Sequence, residues 1–363
     1  MKQILKRVAA AILFLAFIFW LITEGGRLLH PTETGNVASF GFWDYFYAED
    51  KNTIDVAMIG SSSIYRYFSP LDAYEDYGFT TFMLTSSSQE VGAAPYILEE
   101  VNKYQDVDLY VVALRDILRN SARDYVGKEM DEKVQNYYLS NVASAMKFSP
   151  TKYKMVKELM EEDDENSAFE WMFPMLKYHD TIMEISPKTL LKRVKKNKSS
   201  LKMTALVGKH KAYTIPEYQE DHSIKISDSQ KKSIDQIVEA ANACGKKVLF
   251  VTSPSILTQT EYAISLDLQD YMQEKGYDYL DMNQYMDEMG MDPARDFYNK
   301  NHVNLWGAEK YTKYLSEYML AHYDITPAKL NKKQKQEWKD ALTKWAEKKQ
   351  KLQIKLEEMI ATK

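Results

Sequence analysis

Cysteine is nearly absent. Cys244 is the only one in 363 residues, so no intrachain disulfide can form. It lies in Ala-Asn-Ala-Cys-Gly ahead of an apolar run, which predicts a buried residue at a helix end. Of the six histidines, His30, His210, His222 and His322 show no ligand-like spacing, and no metal site is expected. A phosphate-binding glycine loop and a dinucleotide fingerprint are both missing, so no cofactor is expected. Positive charge is not in excess: the net charge of −5 argues against nucleic acid as a partner. No internal repeat is evident. An apolar fraction of 45% argues against disorder, and the 26 tyrosines fit half-buried packing positions.

Long hydrophobic runs are also lacking, with one exception. Val8 to Ile22 is unbroken apolar sequence, and Ile4 and Leu5 extend it past Lys6 and Arg7, whose charged heads can snorkel. The length approaches the ~20 residues that span a bilayer. Lys2, Lys6 and Arg7 before the run keep the N-terminus cytoplasmic and place the chain beyond Thr23 outside the cell. Thr23-Glu-Gly-Gly-Arg offers no clear small-x-small cleavage site, so an uncleaved anchor over residues 1–23 is favoured over a signal peptide. Residues 24–51 read as a juxtamembrane connector. Its aromatics Phe40, Phe42, Trp43, Tyr45, Phe46 and Tyr47 are expected to pack on the globular domain rather than lie at the membrane interface.

Beyond Asn52 apolar strands alternate with helices. Strands are predicted at Ile54–Ile59, Phe79–Leu84, Val107–Leu114, Val248–Thr252 and Tyr277–Met282. Helices are predicted at Ala93–Tyr104, Ser227–Ala243 and Glu261–Lys275, with a late one from about Trp306 to His322. Continuous apolar strands of this kind are buried on both faces, which predicts an α/β fold with a doubly wound, mostly parallel sheet over residues 52–326. Residues from about 117 to 226 interrupt the alternation and read as a helical insertion, with helices at Met130–Met146 and Pro150–Met160 and a basic turn or two at Thr189–Lys196. The acidic Glu161–Glu165 and basic Lys192–Lys198 runs read as solvated surface. Residues 327–363 form a separate object, with eleven lysines against five acidic residues. Trp338, Leu342, Trp345, Leu352, Leu356 and Met359 repeat at spacings of four and three, with Lys349 at one seam position. That is one long basic amphipathic helix. Its seam is expected to dock on this domain or a second copy, and contact with anionic lipid or wall polymer is the alternative.

Two short stretches carry candidate chemistry. Gly60-Ser61-Ser62-Ser63 directly follows the first strand, at the sheet edge where open α/β folds bind ligands. A serine there sits beside unpaired helix N-terminal N–H groups, the ingredients of an oxyanion hole. His302 lies on a loop entering the late helix, with Asp296 and Asn299 shortly before it, the parts of a base and its orienter. His179 belongs to the insertion, where packing is favoured over a place in the cleft.

Together, Gly60-Ser-Ser62 after strand one and His302-Val-Asn-Leu-Trp-Gly307 near the end resemble the first and last sequence blocks of the SGNH (GDSL-like) hydrolases. Asp55-Val-Ala-Met-Ile-Gly-Ser-Ser, Tyr65-Arg-Tyr-Phe-Ser-Pro70 and Asp296-Phe-Tyr-Asn resemble the membrane-anchored envelope branch. That branch includes the protein that helps transfer D-alanine to lipoteichoic acid and O-acetyltransferases that partner membrane-bound acyltransferases. The resemblance covers residues 52–116 and 246–323. It implies a flavodoxin-like fold with Ser62 as nucleophile and His302 as base. The family's Asp-x-x-His acid position falls on Asn299, leaving Asp296 or the Asn299 amide to orient the imidazole. Ala113-Leu-Arg115-Asp116 replaces the Gly-x-Asn-Asp block, with Arg115 as a cationic oxyanion donor, and a backbone N–H around Ser88 replaces the second-block glycine. The implied function is an extracytoplasmic acyltransferase or esterase acting on a cell-surface glycopolymer, with a membrane-bound O-acyltransferase as a possible partner. The competing reading is a non-catalytic envelope assembly protein that uses the same cleft for binding.

Overall fold

The computed structural model describes residues 1–29, 42–119, 139–160, 165–178, 185–195 and 198–361. His30, Phe40, His179, most of the 130–146 segment and parts of both charged runs lie outside them.

Five strands form one all-parallel sheet: β1 (Val56–Gly60), β2 (Thr81–Thr85), β3 (Leu109–Ala113), β4 (Lys247–Thr252) and β5 (Tyr279–Asp281). Their spatial order is β2-β1-β3-β4-β5. The order reverses direction between β1 and β3, which makes the sheet doubly wound and opens a crevice beyond their carboxyl ends. Every residue of β1, β2 and β3 is buried, as a sheet covered on both faces requires. β1 and β2 are one residue shorter than their predicted runs and β3 and β5 three shorter, because apolar flanks such as Ile54, Phe79 and Val107 are buried without pairing, whereas β4 gains one residue at Lys247. Helices Ala94–Asn102 and Asp228–Ala243 pack against each other, and helix Pro70–Tyr77 packs against helix Leu305–His322.

The insertion is helical only in its first part. Residues 139–143 are helical, followed by Pro150–Leu159, Glu165–Met172, Pro174–Lys177 and Pro187–Val194. From residue 198 to 226 the chain runs instead as a strap with neither long helix nor strand. Its backbone is paired elsewhere: Val207 O accepts from Leu305 N–H at 3.0 Å, and Lys211 N–H donates to Phe297 O at 2.9 Å. The strap therefore crosses the segment that carries His302.

At the N-terminus, helix Lys2–Trp20 has no buried residue, and Lys2–Gly25 is long and apolar enough to cross a membrane. A π-type turn, Leu21–Gly25, leads it into the body. There Arg27 pairs with Asp44 and, at 3.3 Å, with Glu24. Phe42, Trp43 and Phe46 are buried, so the connector aromatics pack on the domain as expected. The tail is a single helix, Lys332–Ala361, docked on its own domain. Trp338 stacks on Tyr74 at 4.2 Å, and Trp345 Nε1–H donates to Asp72 Oδ1 at 2.7 Å. Lys349, the charged residue in the apolar seam, is matched there by Glu309 at 2.8 Å and Asp72 at 3.2 Å. Cys244 caps helix Asp228–Ala243 and is half-buried rather than buried; burial pushes its thiol pKa up.

Candidate active site

Ser62 begins a four-residue helix, Ser62–Tyr65, two residues beyond the end of β1. Ser61 is its N-cap and accepts from Ser63 N–H. The Ser61 hydroxyl also donates to Asp116, which follows β3, so the β1 and β3 loops are tied together at the crevice. Gly60 is required by space: a Cβ there would lie 2.8 Å from the Ala113 Cβ. The adjoining β2 loop is joined to the same edge through Ser86 N–H to Gly60 O, 3.2 Å.

His302 reaches this edge on a two-stranded antiparallel hairpin, β6 (Phe297–Asn299) and β7 (His302–Val303). Asn299 and His302 are cross-strand partners, so their side chains lie side by side. The turn between them is held from three directions. Arg115 donates to Asn301 Oδ1 at 3.2 Å, Ile256 N–H donates to Lys300 O at 2.8 Å, and the Tyr67 hydroxyl lies 2.7 Å from Asn301 O. Asn304 caps helix Leu305–His322 through Trp306 N–H at 3.0 Å. Gly307 lets that helix close on the hairpin, since a Cβ would meet Asp296 O at 2.6 Å.

These constraints bring His302 Nε2 to 2.7 Å from Ser62 Oγ and His302 Nδ1 to 3.0 Å from Asn299 Oδ1. The ring stacks on Tyr298 with centroids 5.6 Å apart and planes 11° apart. Burial pushes the Tyr298 phenol up, opposed by the positive charge of Arg66. Ser62 and His302 are both half-buried, so the pair is walled by protein yet open to a substrate.

Asn299, not Asp296, is the residue brought to the imidazole. Asp296 is fully buried and accepts from Lys310 Nζ at 2.5 Å and Asp292 N–H at 2.7 Å. It anchors the base of the hairpin. Arg115 likewise has partners that the sequence did not show. Its Nε donates to Ser255 at 2.9 Å and its Nη2 pairs with Glu261 at 3.0 Å. Burial pushes the Glu261 carboxyl up, but Arg115 outweighs it and holds the pKa below the usual range. Of its guanidinium nitrogens, Nη1 has no partner among the described residues, while Nε and Nη2 are engaged, so Arg115 serves first as a buried clamp on the His302 turn. Ser88 lies in the β2 loop in a left-handed conformation, φ 47°, half-buried. The neighbouring Ser87 carbonyl accepts from Asn141 Nδ2 at 3.0 Å, so the insertion touches this loop. Asp116, Tyr67 and Tyr298 are site residues that sequence reasoning missed. All three lie inside stretches that carry the family resemblance, but none was singled out; the partners of Asp116 and Tyr67 come from distant parts of the chain.

Among the described residues no cluster of His, Cys, Asp and Glu could hold a metal ion. No family model matches the chain, and no curated protein matches it.

Proposed function

We propose that this protein is a membrane-anchored, SGNH-type Ser–His acyltransferase or esterase, with its globular domain outside the cytoplasmic membrane. The observation that carries the reading is the Ser62–His302–Asn299 chain of hydrogen bonds at the sheet's switch point. Ser62 Oγ attacks the carbonyl carbon of an ester or thioester and passes its proton to His302 Nε2. As the tetrahedral intermediate collapses, the bond to the leaving group breaks and Nε2 returns the proton to it. An acceptor hydroxyl then attacks the Ser62 ester, loses its proton to Nε2 and departs acylated, and the proton ends on Ser62. The backbone N–H of Ser62 and those around Ser88 would hold the oxyanion.

The apolar helix Lys2–Gly25 supports anchoring, and the positive charges before its apolar run support an outside-facing domain. An anchored transferase on that side would meet a cell-surface glycopolymer as acceptor, with O-acetyl or D-alanyl type esters as product. A membrane-bound acyltransferase would be its natural acyl source. The amide in place of the usual acid suits slow transfer better than fast hydrolysis, because it orients the imidazole without stabilising the imidazolium by charge. The purified protein should turn over small activated esters slowly, and Ser62→Ala should abolish this turnover together with the ester content of a surface polymer in cells. If both persist unchanged in Ser62→Ala, the cleft binds rather than catalyses.

A further inference from the structure

Among the described residues beyond residue 29, ten large apolar side chains are exposed. Six of them, Phe148, Tyr153, Phe169, Leu176, Leu191 and Val194, come from the short stretch 148–194. That stretch surrounds the point where the apolar N-terminal helix enters the body. Phe19 of that helix meets Phe148 edge to face, with centroids 5.2 Å apart. Gly26 lies against Met175, where a Cβ would come within 2.8 Å of the backbone. The Arg193 guanidinium donates to Leu28 O. Phe148, Phe169 and Phe173 form a continuous shelf, with ring centroids 5.5 and 4.6 Å apart along it. The groove they line with Pro150, Tyr153 and Met172 has a volume of about 490 Å³.

Depth decides what covers this shelf. Phe19 lies three residues before the end of the apolar run at Ile22, which on a helix is about 4.5 Å. A body side chain that touches Phe19 is therefore already below the level at which the helix leaves the hydrocarbon. Interfacial apolar faces sit roughly 5–10 Å into the headgroup and acyl boundary. We infer that the Phe148–Phe169–Phe173 shelf is a second membrane contact, buried in the outer interface of the bilayer beside the spanning helix. Exposed Lys154 follows Tyr153 of the groove lining, where a headgroup contact would be expected. The inference rests on the spanning role of the N-terminal helix and is independent of the Ser–His chemistry. It fixes the orientation of the domain: the chain runs only from Asn141, bonded to the β2 loop, to Phe148 on the shelf. The crevice is thus held close to the bilayer, where acyl donors carried by lipid or by a membrane protein can reach it.

The test uses the full chain in nanodiscs of phosphatidylcholine and phosphatidylglycerol. An environment-sensitive fluorophore is attached to Phe169→Cys in a Cys244→Ser background, with Ile354→Cys on the far helix as the control. Phe169 is 56% exposed, so its replacement should leave folding intact. The expected result is blue-shifted emission at position 169, several-fold more quenching there than at 354 by a lipid carrying a shallow doxyl group, and less quenching by aqueous iodide. Equal iodide quenching at the two positions would overturn the inference, since the shelf would then face water. Protection from iodide without quenching by the doxyl lipid would also overturn it, since protein rather than lipid would then cover the shelf. Failure of the chain to co-elute with the discs would remove the anchor itself, and the shelf contact with it.

Discussion

The backbone N–H of Asn301 donates to the side-chain oxygen of Asn299 at 2.8 Å. A backbone N–H can only donate, so the atom it meets must be the amide oxygen, not the nitrogen. His302 Nδ1 lies 3.0 Å from that same oxygen and must therefore carry the proton. In the neutral ring this leaves the lone pair on Nε2, facing Ser62 Oγ at 2.7 Å. One backbone amide thus sets the tautomer that a general base needs.

The role of Asn299 can be tested by two substitutions. Asn299→Ala frees the ring to rotate and to change tautomer, and should lower kcat on the order of 10-fold or more with KM little changed. Asn299→Asp keeps both hydrogen bonds and adds a negative charge beside the imidazolium. It should retain activity and move the acidic limb of the rate profile to higher pH, because the charge favours the protonated ring. An unchanged pH profile in Asn299→Asp would mean that this contact does not reach the reacting base.

Asp296→Asn should behave differently. Its carboxylate is buried against Lys310, so the substitution should lower stability by about 2 kcal/mol. Activity per folded molecule should stay within a few-fold of wild type. A loss of kcat larger than that of Asn299→Ala, at full stability, would return Asp296 to the imidazole.

How far the sequence revealed this arrangement depends on how local each signal was. β1 and Ser62 were legible because an apolar run ending in Gly60-Ser61-Ser62 carries both the strand and its exposed edge. The choice between Asp296 and Asn299 was not legible, since both lie within six residues of His302. The hairpin register decides it: Asn299 is the cross-strand partner of His302, and Asp296 falls outside the paired residues. The Ser61–Asp116 contact joins positions 55 residues apart, and the Arg115–Glu261 pair joins positions 146 apart. Both arise from parallel strand order, which no local pattern encodes. The strap at 198–226 is likewise held by tertiary backbone hydrogen bonds, so helical periodicity had nothing to report there.

Arg115 and Glu261 should show strong coupling. Arg115→Met alone leaves Glu261 with an uncompensated charge and should destabilise the fold by about 3 kcal/mol. The double variant with Glu261→Met should recover a large part of that in denaturant melts. Additive losses would mean that the pair is not a unit, and would leave Arg115 available for the oxyanion.

Lys152 supplies a test by pH. It is buried with Nζ donating to Met146 O at 3.1 Å, and burial pushes its pKa down to about 7, with Arg27 adding to the effect. Its folded pKa lies below the unfolded value, so the unfolded chain binds more protons between about pH 7 and the ordinary lysine range. The cost of burying this group is therefore fully present below about pH 7, where both states are protonated, and shrinks as pH rises through that window. Lys152→Met should raise Tm most at pH 6, with the advantage shrinking toward pH 10. An advantage that stays constant over this range would show that Lys152 does not titrate on folding.

The nucleophile is tested most directly by a fluorophosphonate probe on the full-length protein, with the adduct mapped by peptide mass spectrometry. An activated Ser62 predicts one phosphonylated peptide, containing Gly60-Ser61-Ser62-Ser63, with fragment ions placing the adduct on Ser62. Labelling should vanish in Ser62→Ala, fall sharply in His302→Ala, and persist at a reduced rate in Asn299→Ala. Absence of any adduct on the folded wild-type protein, or equal labelling in Ser62→Ala, would contradict a Ser62–His302 catalytic pair and leave the crevice as a binding site.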